Sequence, residues 1–205
     1  MQLIFIGSSM TKRNKSCESE VMLTMQRKEL LKKSAIRHAE YYGMVEVQDA
    51  LYADSANKKI FTDLISIIGS DANIKMAYRN LKSNKGSNTP GVDGKTFKDL
   101  AEMSEEALVR CVRDKILNYQ PKAVRRVYIP KSNGKMRPLG IPTVIDRIVQ
   151  QSVLQVMEPI CEAKFYRHSY GFRPNRSTKN AVAVCYKLAQ VDGFHYVVDV
   201  DIKGF

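Results

Sequence analysis

Asp199 and Asp201 stand two residues apart in the run HYVVDVDI. In an extended chain alternate residues share a face, so both carboxylates would project to one side. Two carboxylates on an otherwise apolar strand call for water or a cation to meet them. Two readings of the pair stand open: solvated acids at an exposed strand end, or hard oxygen ligands for a divalent ion such as Mg²⁺. The second reading carries a specific chemistry. Phosphoryl transfer onto a 3′-hydroxyl commonly uses two metals about 3.5–4 Å apart, which need more than one carboxylate.

A second group of reactive character lies upstream, in VRRVYIPKSNGKMRPLGIP from Val124 to Pro142. Arg125, Arg126, Lys131, Lys135 and Arg137 place five cations on a short stretch. Its β-branched and aromatic residues favour strand, and Ser132-Asn133-Gly134 is a turn signal because Asn and Gly tolerate positive φ. The stretch therefore reads as an antiparallel hairpin, with Pro138 confined to an edge or bulge. A two-stranded ribbon has little surface on which to bury charge, so these cations face solvent or a polyanion.

The rest of the chain favours the polyanion. The 205 residues carry a net charge of +12, and a chain that tolerates such self-repulsion commonly meets nucleic acid. From Gln120 to Asn180 there are twelve cations and three anions, so this segment alone supplies +9. Tyr128, Phe165, Tyr166, Tyr170 and Phe172 interleave with them, which suits base stacking beside phosphate contact. Cys17, Cys111, Cys161 and Cys185 match no zinc or redox spacing, and His38, His168 and His195 form no ligand cluster. The apolar run LIFI near Met1 is too short for a signal or a membrane span. Reduced thiols in a soluble cytoplasmic protein are the expectation, with no membrane partner.

The elements that must position these residues are mostly helical. Helices are expected over Glu18–Tyr42, with a basic face from Arg27 to Arg37, over Lys58–Ile68 after an Asn57 cap, and from Ala72 to about Lys82 after Asp71. Lys82 to Lys95, KSNKGSNTPGVDGK, reads as a loop whose glycines let backbone approach phosphate. It lacks the Lys-Ser/Thr ending of a P-loop, which excludes that class of nucleotide hydrolase. Ser104 caps a helix to about Tyr119, and Thr143 with Asp146 opens another that runs to about Met157. Pro159 is expected to break it, with a short helix over Ile160–Phe165. SYGFRPN is a loop, Ser177 or Thr178 caps a helix to about Gln190, and His195–Ile202 is a strand.

Taken together, RRVYIPKSNGKMRPLGIPTVIDRIVQQSVLQVMEPICEAKF, SYGFRPNRST and VVDVDIKGF resemble group II intron reverse transcriptases, also called maturases. KGSNTPGVDGKTF resembles the block upstream of them in that family, and the resemblance runs from about Ile74 to Phe205. It implies an α+β fold: the fingers and partial palm of a right-hand polymerase, mostly helical with a small antiparallel hairpin. Residues 1–54 would be a basic helical extension, 55–190 the fingers region, and 191–205 the start of the palm. Asp201 matches the first metal-binding, catalytic aspartate, with Mg²⁺ as cofactor. Lys131 and Arg137 match the cations that grip the triphosphate of the incoming deoxynucleotide. Arg125, Arg126, Lys135, Arg147, Arg173 and Arg176 are expected to face RNA, with the Gly86–Gly94 loop along the template. Partners on this reading are intron RNA or template RNA, a DNA primer or target, and dNTP; oligomeric state is not implied. The family's adjacent aspartate pair, thumb and maturase regions have no counterpart in these 205 residues. The chain therefore reads as a piece of a larger RNA-directed DNA polymerase, inactive alone, or alternatively as a non-catalytic module that binds intron RNA.

Overall fold

A computed structural model describes residues 36–132, 134–194 and 196–200. The expected helix from Glu18 falls largely outside them, as do Asn133 of the turn, His195 and Asp201. Helices dominate. α1 is described over 36–41, and Gly43, at φ +65°, turns the chain into α2 (Val45–Ala56). α3 (Leu64–Ile68), α4 (Asp71–Lys82), a 3₁₀ turn (Lys85–Asn88), α5 (Phe97–Leu100) and α6 (Glu105–Leu117) follow. Strands β1 (Arg125–Pro130) and β2 (Met136–Ile141) then lead into α7 (Val144–Glu162) and α8 (Thr178–Gln190).

The helix starts are written in their caps. Ser70, Ser104, Thr143 and Ser177 each accept a hydrogen bond from a backbone N–H in the first turn of the helix they precede. The cap of α4 is Ser70, one residue before the expected Asp71. The loop expected over Lys82–Lys95 contains the 3₁₀ turn and is followed by α5. There Thr96 and Asp99 close a reciprocal capping box: the Thr96 N–H and hydroxyl both donate to Asp99, at 2.6 and 2.7 Å.

α7 is the axis of the fold. Its Val144, Ile148, Val149, Val156 and Ile160 pack with Leu51, Ile68, Ile74, Ala77, Phe97, Leu108, Val109 and Val112 in one core, so α2, α3, α4 and α6 surround it. A chain of amides threads the packing. Asn73, fully buried, donates to the Ile68 and Ser152 carbonyls, both at 2.9 Å. Gln155 Nε2 donates to Asn73 Oδ1 (2.7 Å), and Asn80 Nδ2 donates to Gln155 Oε1 (3.0 Å). His38 joins Asn80 Oδ1 at 2.7 Å.

Two expectations fail here, for one linked reason. Pro159 does not end α7, which runs on to Glu162. A proline removes the N–H that would bond the carbonyl four residues back, here Gln155. Gln48 Nε2 supplies the missing donor to that carbonyl at 3.1 Å. Ser55 Oγ donates to the Ile160 carbonyl at 2.7 Å, beside the C-terminal turn of the helix. Both donors come from α2, which was not expected at all. Asn57 closes α2 instead of opening a helix, Lys58 sits at φ +60°, and the expected Lys58–Ile68 helix shrinks to α3, capped by Asp63.

The hairpin pairs as expected, antiparallel with Arg125 opposite Ile141 and Pro130 opposite Met136. Gly134, at φ +77°, lies in its turn. Among the described residues both strands of this ribbon are edges, so the missing N–H of Pro138 is tolerated. The expected strand over His195–Ile202 is not formed across residues 196–200, which have no ladder partner among the described residues and lie exposed. A lone strand has no backbone hydrogen-bond partner to hold it.

Candidate nucleic-acid interface

The hairpin stands clear of the core, and its cations sort by face. Alternation along each strand puts Arg125, Val127 and Ile129 on one side, with their partners Ile141, Leu139 and Arg137. Arg126, Tyr128 and Pro130 lie on the other, with Gly140, Pro138 and Met136. The Lys131 N–H bonds the Lys135 carbonyl at 2.8 Å, so the turn continues the register and carries both lysines on the Arg137 side. Lys131, Lys135 and Arg137 are exposed. Arg125 and Arg126, expected to act together, occupy opposite faces.

Four other arginines of the expected set make contacts within the protein. Arg125 Nε donates to the Pro90 carbonyl at 3.0 Å. Arg147 donates from one terminal nitrogen to the Gly86 carbonyl (2.9 Å) and from the other to the Thr89 carbonyl (2.6 Å). Its guanidinium lies 5.8 Å from the centre of the Phe97 ring. Burial lowers its pKa, partly offset by the nearby Asp93 carboxylate. Arg173 grips Glu162 with a fork, Nε at 3.1 and 3.0 Å and a terminal nitrogen at 2.6 Å. Its other terminal nitrogen donates to the Tyr166 and Ser169 carbonyls. With 6% of its side chain exposed, Arg173 ties the 163–177 loop to the end of α7. Arg176 donates to the Arg167 carbonyl and lies 5.4 Å from the Tyr170 ring centre.

The loop after α4 is thus fastened to the base of the hairpin. A Cβ on Gly91 would lie 2.6 Å from Thr143 Cα and 2.9 Å from the Pro142 carbonyl oxygen, so only glycine permits this approach. Sequence reasoning put this loop beside nucleic acid but missed the arginines that hold it. The signal available was the count of glycines, not the identity of their partners.

Asp199 lies in the exposed 196–200 stretch, and Asp201 lies outside the described residues. Among the described residues no three His, Cys, Asp or Glu side chains come together as metal ligands. No described helix is long and apolar enough to cross a membrane.

Comparison with known proteins agrees with this geometry. Residues 129–205 match the family described as Reverse transcriptase (RNA-dependent DNA polymerase). Protein YkfC of Escherichia coli (strain K12) is 52% identical over 108 residues, which cover 52% of this chain and 28% of that protein. Group II intron-encoded protein LtrA of Lactococcus lactis subsp. cremoris is 40% identical over 130 residues, covering 63% and 21%. Putative COX1/OXI3 intron 1 protein of Saccharomyces cerevisiae is 30% identical over 161 residues, covering 76% and 18%. The chain spans less than a third of the length of these relatives. Its ordered motifs, its exposed basic hairpin on a helical core and these similarities point the same way: residues 129–205 match the reverse transcriptase family, and the chain is similar to a group II intron-encoded protein.

Proposed function

We propose that this chain forms the RNA-holding and nucleotide-gripping part of an RNA-directed DNA polymerase of the group II intron type. The observation that carries the reading is the hairpin, with Lys131, Lys135 and Arg137 exposed on one side of a ribbon free of the core. Lys131 and Arg137 would hold the triphosphate of the incoming dNTP: a guanidinium forks onto phosphate oxygens, and an ammonium serves as a point charge. Arg126 and the Gly86–Gly94 loop would lie along template or intron RNA, with a DNA primer or target as the second strand. Residues 55–190 would form the fingers, with the palm beginning after residue 190. Asp201 would hold Mg²⁺, whose hard oxygen preference suits a carboxylate and which would stabilise charge developing on the transferred phosphate. The free thiols of Cys111, Cys161 and Cys185 suit work in the reducing cytoplasm.

The chain is expected to bind structured RNA with an affinity that falls steeply with salt, by a log–log slope of about −0.7 to −0.9 per phosphate neutralised. Charge reversal at Arg126 should weaken binding to many RNAs alike, because phosphate contacts position without reading sequence. Lys131→Ala with Arg137→Ala should leave RNA affinity nearly unchanged and impair nucleotide incorporation in a protein that carries the complete palm. Gel-shift titrations at several salt concentrations, with primer extension on the longer protein, check both. If the Lys131 and Arg137 pair matters for RNA as much as Arg126 does, the nucleotide role fails. Intact extension by the double variant would also sink it.

A further inference from the structure

We infer that Arg147 is a positioning residue, which holds the 86–94 loop against the hairpin base so that loop and hairpin present one surface to RNA. The inference rests on the proposed RNA-holding role of that surface. Its own warrant is where the guanidinium donors go. Both terminal nitrogens of Arg147 point into the protein, at the Gly86 and Thr89 carbonyls. The Gly86 carbonyl lies within the 3₁₀ turn and the Thr89 carbonyl just after it, and the Ser87 and Thr89 amides bond back to the Asn84 and Gly86 carbonyls. A single guanidinium thus fixes two points of the turn from the first turn of α7. Arg125 holds the next residue, Pro90, from the first position of β1. Gly91 then lies against Pro142 and Thr143, the link between β2 and α7. Three consecutive attachments, at Thr89, Pro90 and Gly91, leave the loop no independent course. Lys85 and Lys95, at the two ends of this segment and both exposed, are carried in fixed relation to the hairpin cations.

A charge contact and a positioning role differ in what lysine can do. An ammonium keeps the charge of Arg147 but cannot span two carbonyls with a planar fork. Gly91→Ala supplies an independent route to the same defect, because it displaces the loop by contact with backbone and removes no cation.

The test uses the full chain with Arg147→Lys, Arg147→Ala and Gly91→Ala. Amide exchange is followed without RNA, alongside urea unfolding and RNA gel shifts. Arg147→Lys and Gly91→Ala should both speed exchange at Ser87 and Thr89, with α4 and α7 amides and the urea midpoint little changed. Both should also weaken RNA binding by about tenfold, the equivalent of one lost charge-assisted hydrogen bond. Wild-type protection and affinity in Arg147→Lys would overturn the inference, since charge alone would then suffice. Exchange that rises equally across the whole protein would overturn it too, by reducing Arg147 to a general stabiliser. A loosened loop with undiminished RNA affinity would remove the loop from the interface while leaving the proposed function standing. Failure of the wild-type chain to bind any RNA would instead sink the proposed function, and the positioning role with it.

Discussion

Replacing Asn73 with alanine is expected to destabilise the fold by about 3 kcal/mol, the upper part of the range for buried polar deletions. Its side chain is wholly buried and bonds three groups from two elements: the Ile68 carbonyl at the end of α3, and the Ser152 carbonyl and Gln155 amide of α7. Alanine cannot reach any of them, and the vacated space is too deep in the core for easy repair. Urea unfolding should show a lower midpoint with little change in slope, the mark of lost stability rather than altered compactness. Asn73→Asp should do no better at neutral pH, because it turns a donor facing two carbonyls into an acceptor. Its folded pKa would then be raised, so the aspartate variant should recover stability as pH falls. An alanine variant as stable as wild type would mean that the amide chain contributes nothing net.

Substituting Arg173 by alanine is expected to release the 163–177 loop from α7. Five hydrogen bonds fixing that loop pass through one guanidinium, and Lys cannot replace the fork and the two carbonyl bonds together. The loop amides should lose protection while those of α4 and α6 keep theirs. The pair also sets a pH dependence. The hydrogen bonds from Arg173 hold the Glu162 carboxyl below its ordinary pKa, with Arg173 and Arg176 charge adding to the effect. A carboxylate with a depressed folded pKa gives its full stabilisation above the unfolded value, about 4.3, and loses it as pH falls through the folded value. The urea-midpoint gap between wild type and Arg173→Ala should therefore be wide at pH 6 and narrow at pH 3. A gap that stays constant across that interval would show that Glu162 charge is not what Arg173 holds.

Local grammar was legible in the sequence. Ser104, Thr143 and Ser177 are caps that declare themselves by residue type and position, and the hairpin follows from a turn dipeptide between two strand-forming runs. Where a local signal was outvoted by a distant partner, the sequence misled. Pro159 is a helix breaker by every local criterion, yet its missing bond is replaced at the Gln155 carbonyl by a side chain more than a hundred residues away. α2 escaped notice because its inward face includes Gln48 and Ser55, polar residues whose use appears only once α7 is beside them. The candidate site divides in the same way. The charge and turn position of Lys131 and Arg137 already imply exposure. Arg147 and Arg173 look equally cationic, but the terminal nitrogens of Arg147 and the guanidinium of Arg173 bond carbonyls and a carboxylate that composition cannot reveal.

The bond from Gln48 to the Gln155 carbonyl also makes the history of two positions depend on order. Pro159 is harmless only while a donor stands opposite the carbonyl it leaves bare. A lineage that changed Gln48 first would carry an uncapped carbonyl beside the core and be selected against. One that first replaced Pro159 with a residue bearing an N–H would restore the bond within α7, and position 48 would then be free to drift. The two sites are far apart along the chain, yet of the two routes away from this pair only one passes through a well-folded intermediate.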